Sequence, residues 1–415
     1  MSASQEIYVY YDHLSDAQPI LLGVLTCQNL RGKELFSFSF DDGFLKTPGL
    51  TLLDPELEFY SGRQFTNKSN FGLFMDSAPD RWGRKLMQRR EAIRARDAGE
   101  KAKVLSESDY LLGVYDETRM GALRFKLSLD GSFENNDTSM STPPWARLVE
   151  LEEACRHLEQ DGQSGMREKW LSLLLAPGSS LGGARPKANV CDSSGALWIA
   201  KFPSHRDEND VSAWEYASML MARDAGLNVS ECRLETLSKH GATFLSKRFD
   251  RQGRQRIHFA SALTLLGKTD GADASDGSSY LELAQFIVQH GAAPQDDLPE
   301  LWRRIAFSIA ISNTDDHLRN HGFLLSRQGW RLSPAYDLNP TLEGTGLSLN
   351  ITDMDNALDF DLAMEVAPFF QLSSDKANHM LKRIRETVSH VANYAKRAHI
   401  SPREVSRMLP AFHLS

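Results

Sequence analysis

The sequence has few cysteines and none in an arrangement typical of a structural site. Its 415 residues contain four cysteines, and no two lie close enough for a Cys-x-x-Cys pair. Neither a zinc site nor a disulfide framework is expected, and a reducing compartment suits the chain. No apolar run approaches the roughly 20 residues that span a membrane. The N-terminus also lacks a basic-then-apolar signal pattern. We therefore expect a cytoplasmic protein without membrane contact.

Positive charge is also scarce. The chain has 47 Lys and Arg residues against 55 Asp and Glu residues, which gives a formal net charge of −8. Non-specific nucleic-acid binding depends on Lys and Arg, so this balance argues against it. Basic residues do concentrate between Arg81 and Arg96. We interpret that run as a solvated helix face in preference to a binding patch.

The order of patterns along the chain indicates several domains. With 41% hydrophobic residues, the chain can bury a substantial core. Strand-like runs dominate the start, a stretch rich in Ser, Asn, Asp and Pro follows, and the last part is largely helical, including one helix expected over Ser373–Arg397. The expected domains are a β-rich N-terminal module over 1–130, a linker over 131–145, a mixed lobe over 146–255 and a helical lobe over 256–415.

A Gly- and Ser-rich segment at 177–187 is the first candidate for chemistry. Its sequence is PGSSLGGARPK. Glycines allow the backbone to approach phosphate oxygens, and consecutive N–H groups form an anion-binding nest. The segment is neither a Walker A loop nor a GxGxxG loop. Taken alone, it is more typical of a turn than of a phosphate site.

A lysine and a glutamate follow this segment in a suggestive order. Lys201 ends an apolar strand, and Glu215 lies in the next predicted helix. In protein kinases a strand lysine contacts the ATP phosphates and pairs with a helix glutamate. The alternative is a lysine at a solvated strand edge.

The strongest candidate lies between an apolar helix and an apolar strand, in the run ISNTDDHLRNHG. Asp315 and Asn320 are five positions apart. The catalytic aspartate and the metal-binding asparagine of a kinase loop have this spacing. The carboxylate would accept a proton from the substrate hydroxyl, and the amide oxygen suits Mg²⁺.

A rival interpretation uses the histidines in the same run. If the segment were helical, His317 and His321 at i and i+4 could bind a transition metal. Their surroundings indicate a loop that turns into a strand, and no HExxH pattern is present. We therefore favour a structural role for His317 in the loop.

A strand-ending aspartate completes the order. Asp337 closes the run WRLSPAYD, where a kinase has the aspartate that holds Mg²⁺ on ATP. A lone Asp in a turn is usually only a turn residue. Five such features in kinase order favour a kinase.

These segments resemble the HipA family of bacterial toxin kinases. The resemblance rests on SLGGARPK, KFP after the apolar strand, KRFDR, NTDDHLRN and LSPAYD, and on FGLF with SAPDRWG in the N-terminal part. It implies an α+β fold with a two-lobed kinase-like core, a mixed β/α N-lobe and an all-helical C-lobe, preceded by the β-rich module.

The resemblance also implies roles for individual residues. Asp315 would be the catalytic base, and Asn320 and Asp337 would hold Mg²⁺. Ser180, or the adjacent Ser179, would be the autophosphorylation site that switches the enzyme off. The implied ATP-binding residues are Ser179, Ser180, Leu181, Gly182, Gly183, Ala184, Lys187, Lys201, Glu215, Lys247, Phe249 and His317. Lys247 stands where the family pattern has Glu.

The same resemblance implies partners. Such kinases phosphorylate a translation component, often an aminoacyl-tRNA synthetase, and are neutralised by a small helix-turn-helix antitoxin that binds operator DNA. DNA contact would then be indirect, because no helix-turn-helix signature is evident in this chain. Two alternatives remain open: a catalytically weak kinase-like co-regulator acting with a DNA-binding partner, and a small-molecule kinase.

Overall fold

The chain folds into two compact units that both contain strands and helices. The computed structural model describes residues 4–14, 18–136, 142–160, 174 and 185–413. The first unit is Met1–His205 with Asp250–Ala260, and the second is Arg206–Phe249 with Ser261–Ser415. The mixture of sheets and helices confirms the expected α+β class. The expected domain boundaries stay predictions.

A five-stranded antiparallel sheet organises the first unit. Its strands, in spatial order, are Gln64–Phe65, Lys33–Phe40, Ile20–Leu30, Ser4–Tyr11 and Leu123–Lys126. Alternate residues such as Ile7 and Val9 are buried, as expected for strands with one face on a core. Phe38 packs against Phe74 with ring centroids 5.3 Å apart, which ties the sheet to a neighbouring short helix.

The first unit also contains helices. They are Asp42–Leu45, Gly72–Met75, Arg81–Asp97, Glu107–Leu112 and Leu148–Gln160. The long basic helix begins at Asp80, whose carboxylate accepts a hydrogen bond from Gly83 N. Several of its arginines are paired, including Arg84 with Glu107 at 2.7 Å. The interpretation of this run as a solvated face stays a prediction.

An antiparallel hairpin, Lys187–Cys191 with Leu197–Lys201, follows the Gly-rich segment. The Asp192 carboxylate accepts hydrogen bonds from Ser194 N and Ala196 N, and Gly195 has φ +81°. Glycine adopts this left-handed conformation without steric cost, so a turn forms between the two strands. Two further short strands, Arg251–Gln252 and Gln255–Arg256, also pair. A further short strand is Phe259–Ser261.

The second unit is mainly helical. Its helices are Val211–Ala225, Ala262–Leu265, Tyr280–His290, Pro294–Ala310, Phe360–Val366, Ser374–Ser389, Val391–Arg397 and Pro402–Met408. Its hairpins are Cys232–Ser238 with Gly241–Lys247, and Gly322–Ser326 with Gly329–Leu332.

The core of this unit lies around the helix Pro294–Ala310. Trp302 is fully buried, and its indole N–H donates to the carbonyl of Ala363 at 2.7 Å. The single helix expected over Ser373–Arg397 is in fact two, because His390 ends the first: its N–H bonds to Thr387 O in a tightened last turn. Within the described residues, no helix has the length and apolar character required to cross a bilayer.

Candidate active site

The predicted catalytic loop forms directly after the helix Pro294–Ala310. Ser312 has φ +49°, a left-handed conformation that turns the chain away from the helix axis. A 3-10 turn, Leu318–Asn320, then leads into the strand Gly322–Ser326. The loop is therefore not α-helical, and the i, i+4 geometry required for a His317–His321 metal pair does not form.

The structure brings Asp315 and Asn320 together. The Asn320 side-chain amide donates to the backbone carbonyl of Asp315 at 2.8 Å. The Asp315 carbonyl also accepts a hydrogen bond from His317 N at 3.0 Å. Asp315 itself is exposed, whereas its neighbour Asp316 is buried. The loop thus presents one carboxylate to solvent and fixes the asparagine beside it.

This contact orients the Asn320 amide. Because the nitrogen is used as a donor, the oxygen Oδ1 points elsewhere. Among the described residues, that oxygen accepts no hydrogen bond. A neutral oxygen held in this way is a suitable ligand for a hard cation such as Mg²⁺.

Asp337 lies in a second loop, after the strand Gly329–Leu332. Its φ is +59°, an uncommon conformation for a residue other than glycine, which surrounding contacts must maintain. Asn339 Nδ2 donates to Asp337 Oδ1 at 3.2 Å. The loop's start is fixed by Arg304, which donates to Ser333 O at 2.5 Å.

Hydrogen bonds join this loop to the catalytic loop. Tyr336 donates its hydroxyl to the carbonyl of Arg319 at 2.7 Å. Asn339 N donates to Asn313 Oδ1 at 3.4 Å, a longer contact. The residue before Asp337 and the residue before Asn320 are therefore held together, which places both predicted metal ligands on connected loops.

Phe249 packs on the same connection. Its ring lies 5.6 Å from that of Tyr336, at 35° between the planes. Lys247 N donates to Glu231 O at 2.8 Å, and its ammonium lies 3.1 Å from the Glu231 carboxylate. Both side chains of that ion pair are about half exposed, so it contributes little stability. The ATP-binding role of Lys247 and Phe249 stays a prediction.

A buried polar network adjoins the catalytic loop, and sequence reasoning missed it. Asp316 is 3% exposed and accepts hydrogen bonds from the hydroxyls of Tyr280 at 2.7 Å and Ser308 at 3.3 Å. His321 Nε2 lies 3.1 Å from Asp316 Oδ1. Neither ring nitrogen of His321 makes a well-directed hydrogen bond, so we describe this contact as electrostatic.

The network determines the protonation of Asp316. Burial works to raise its pKa, but His321, the Tyr280 hydroxyl and His317 outweigh burial and hold the pKa below its usual range. The charged carboxylate then fixes the start of the loop to the helix residues Tyr280 and Ser308, and its end to His321. The only sequence signal was the doubled aspartate, which gave no indication of which carboxylate is buried.

The remaining predicted residues differ in what the structure describes. Glu215 is 2% exposed in the helix Val211–Ala225, and Lys201 is half-buried in the first unit. Lys187 is buried, and its ammonium lies 2.7 Å from Asp80 Oδ2. Ser179, Ser180, Leu181, Gly182, Gly183 and Ala184 lie outside the described residues. Their ATP-binding and autophosphorylation roles stay predictions.

The oxygen donors of Asn320 and Asp337 are of the type that Mg²⁺ prefers. The described residues contain no group of three or more His, Cys, Asp or Glu side chains that could hold a metal. Mg²⁺ commonly binds through one or two protein oxygens together with substrate phosphates, which the Asn320 amide and Asp337 carboxylate could supply.

Comparisons with known proteins agree with the resemblance seen in the sequence. Residues 179–394 match the family described as HipA-like C-terminal domain. The chain is 29% identical over 216 residues to Y4dM of Sinorhizobium fredii, a provisionally named kinase, covering 47% of this chain and 52% of that protein. It is 25% identical over 196 residues to Toxin YjjJ of Escherichia coli, covering 45% and 43%. The chain spans about half the length of these curated relatives.

A solved structure shares the fold over nearly the whole chain. It is a chain of the Shewanella oneidensis MR-1 toxin–antitoxin complex of HipA, HipB and operator DNA. The TM-score is 0.64 at 16% identity, with coverage of 98% of this chain and 94% of that one. Identity this low shows the likeness of fold alone.

Proposed function

Because the chain belongs to the family with a HipA-like C-terminal domain, we propose that it is an ATP- and Mg²⁺-dependent serine/threonine protein kinase. The observation that carries this proposal is the catalytic loop. An exposed Asp315 stands beside an asparagine whose amide nitrogen is bound to the Asp315 carbonyl. The hydrogen bond from Tyr336 to Arg319 connects this loop to the loop of Asp337.

Each of these residues would have a separate role in phosphoryl transfer. Asn320 Oδ1 and the Asp337 carboxylate would hold Mg²⁺, which neutralises charge on the phosphates. Asp315 orients the substrate hydroxyl and accepts its proton. The hydroxyl oxygen forms the new bond to the γ-phosphorus as the bond from that phosphorus to ADP breaks. Because the loops are hydrogen-bonded before substrate arrives, little reorganisation is required.

Residues outside the catalytic loop would supply contacts to the nucleotide. Lys201 would contact the phosphates, and Glu215 would hold Lys201 in place. The Gly-rich residues 179–184 would cover the phosphates with backbone N–H groups.

We also propose how the enzyme is regulated and what it acts on. Autophosphorylation of Ser180, or of Ser179, would add about −1.5 to −2 charges where the ATP phosphates bind, and repulsion would displace the loop. A translation component such as an aminoacyl-tRNA synthetase is the proposed substrate, which places the reaction in the cytoplasm. A small helix-turn-helix antitoxin is the proposed partner, and it would make the contact with DNA.

The test is incubation of the purified protein with radiolabelled ATP and Mg²⁺, with and without cell lysate, followed by phosphosite mass spectrometry. We expect label on Ser179 or Ser180 and on one lysate protein, and none with Asp315→Ala. Asp353→Ala, at an exposed position of the same unit, is the matched control. An unlabelled, folded and unphosphorylated protein would favour the co-regulator. Label on small alcohols would favour a small-molecule kinase.

A further inference from the structure

The helix Val211–Ala225, which carries Glu215, is fixed at its N-terminus by Asp210. One carboxylate oxygen of Asp210 accepts a hydrogen bond from Ala213 N at 3.0 Å and caps the helix. The other oxygen accepts one from Ala242 N at 2.9 Å, in the strand Gly241–Lys247. The start of this helix is therefore tied to its neighbouring sheet through a single side chain.

A C-terminal segment, residues 401–412, makes further contacts with the same helix end. Glu404 Oε1 accepts hydrogen bonds from Asp210 N at 2.8 Å and from Trp214 Nε1 at 3.0 Å. Charged acceptors make stronger hydrogen bonds than neutral ones. Glu404 thus bridges the backbone just before the helix and a side chain in its first turn.

The sequence around Glu404 has the spacing of a helix-capping motif. Ser401 and Glu404 have the S-x-x-E spacing of a capping box, in which the glutamate returns to the amide of the capping serine. Ser401 does accept a hydrogen bond from Glu404 N at 3.2 Å. The Glu404 carboxylate bonds to Asp210 and Trp214 instead. The Glu404 carboxylate could have capped its own helix, but it supports the start of the helix Val211–Ala225 instead.

Other contacts reinforce the attachment. Arg407 donates to Glu208 O at 2.6 Å, and Trp214 packs on Phe412 with ring centroids 5.7 Å apart. At the other end of the helix, Tyr394 donates its hydroxyl to the Asp224 carboxylate at 2.8 Å. The helix is held at both ends by C-terminal elements of the same unit.

We propose that residues 401–412 form a positioning element that sets the placement of Glu215 for phosphoryl transfer, with Glu404 as its principal positioning residue. In kinases, activity requires the helix glutamate and the strand lysine to be in place together, and helix placement controls this. The inference rests on the proposed kinase function. It gives a role to a segment that lies beyond residue 394, where the family match ends.

The test compares variants that keep or remove the hydrogen-bond acceptor for Asp210 N and Trp214 Nε1. Glu404→Ala removes the acceptor, whereas Glu404→Gln keeps an oxygen in the same place. Arg403→Ala, at an exposed position of the same helix, is the matched control. We would measure kcat and KM for ATP, together with amide hydrogen exchange over residues 211–216. Each variant would also be made in a Glu215→Gln background.

We expect Glu404→Ala to lower kcat/KM and to accelerate exchange over 211–216, each by about tenfold, since two charge-assisted hydrogen bonds are lost. Glu404→Gln should retain kcat/KM within about threefold, and Arg403→Ala should be unchanged. In the Glu215→Gln background, Glu404→Ala should cause no further loss, because it acts through Glu215.

Two results would overturn the proposal. Faster exchange with unchanged kcat and KM would make Glu404 a structural support only. Losses that multiply in the double variant would show that Glu404 does not act through Glu215. If the wild-type protein transferred no phosphate, the proposed function would fail instead, and unchanged exchange in Glu404→Ala would then separately refute the positioning contact.

Discussion

Replacing Lys187 with methionine should lower the free energy of unfolding substantially, whereas the KM for ATP should change little. Lys187 was predicted from sequence among the ATP-binding residues. In the structure its ammonium lies 2.7 Å from Asp80 Oδ2, and the two side chains are 1% and 4% exposed. The Lys187 carbonyl also accepts a hydrogen bond from Trp82 Nε1 at 3.0 Å. The lysine thus anchors the strand after the Gly-rich segment to the helix that begins at Asp80.

The magnitude follows from burial. Desolvation raises the pKa of Asp80, and Lys187 acts in the opposite direction. Lys187→Met would leave the Asp80 carboxylate buried without its cation. Breaking a buried pair by removing one partner typically costs about 3–5 kcal/mol in the free energy of unfolding. Removing both partners costs less, because no uncompensated charge is left.

The assay is urea unfolding of Lys187→Met, of Asp80→Asn and of the double variant. Asn caps a helix as well as Asp does, so Asp80→Asn keeps the bond from Gly83 and tests the ion pair alone. The double variant should lose less than the sum of the single losses. Lys239→Met, at an exposed position, is the control. Unchanged unfolding for Lys187→Met, together with a large rise in KM for ATP, would refute this reasoning.

Three further predictions follow from individual contacts. Tyr280→Phe removes a buried hydroxyl that donates to charged Asp316 at 2.7 Å, and should lower the free energy of unfolding by about 1.5–3 kcal/mol; an unchanged urea midpoint would contradict it. Asn320→Ala removes a proposed metal ligand and should raise the Mg²⁺ concentration for half-maximal activity at least about tenfold, measured by titration; an unchanged requirement would exclude Asn320 as a ligand. Burial lowers the pKa of His258 from 6.5 to about 3, and His13 adds to this. Because the unfolded chain then binds the extra proton, stability should fall as pH drops below 6.5, by up to about 1.4 kcal/mol per pH unit. His258→Phe should show a shallower fall in urea unfolding, and an identical slope would count against the buried neutral imidazole.

Local sequence patterns predicted the parts of the site that depend on short spacing. The Asp-x4-Asn spacing predicted that Asp315 and Asn320 meet, and a hydrogen bond of 2.8 Å joins them. Asp337 was predicted to end an apolar strand, whereas the strand ends at Leu332 and Asp337 lies in the loop that follows. The Asp-x4-Asn pattern is informative because a loop of a few residues has few ways to connect two fixed elements.

Contacts between distant parts of the chain could not be predicted in this way. Asp80 and Lys187 pair across 107 positions, and neither residue's neighbours indicate the other. The S-x-x-E spacing of Ser401 and Glu404 is typical of a capping box, and nothing in it indicates that the Glu404 carboxylate bonds to Trp214. Local periodicity likewise predicted one helix over Ser373–Arg397, whereas the structure has two helices that are separated at His390. In each case tertiary packing selects among conformations that the local sequence allows equally.

The most direct test of the kinase proposal compares ATP binding with phosphoryl transfer in wild-type protein and in Asp315→Asn. The substitution preserves side-chain size and removes the group that accepts the proton. We expect ATP affinity within about threefold of wild type and a transfer rate reduced by about 10²–10⁴. Transfer at the wild-type rate by Asp315→Asn would contradict the assignment of Asp315 as the catalytic base.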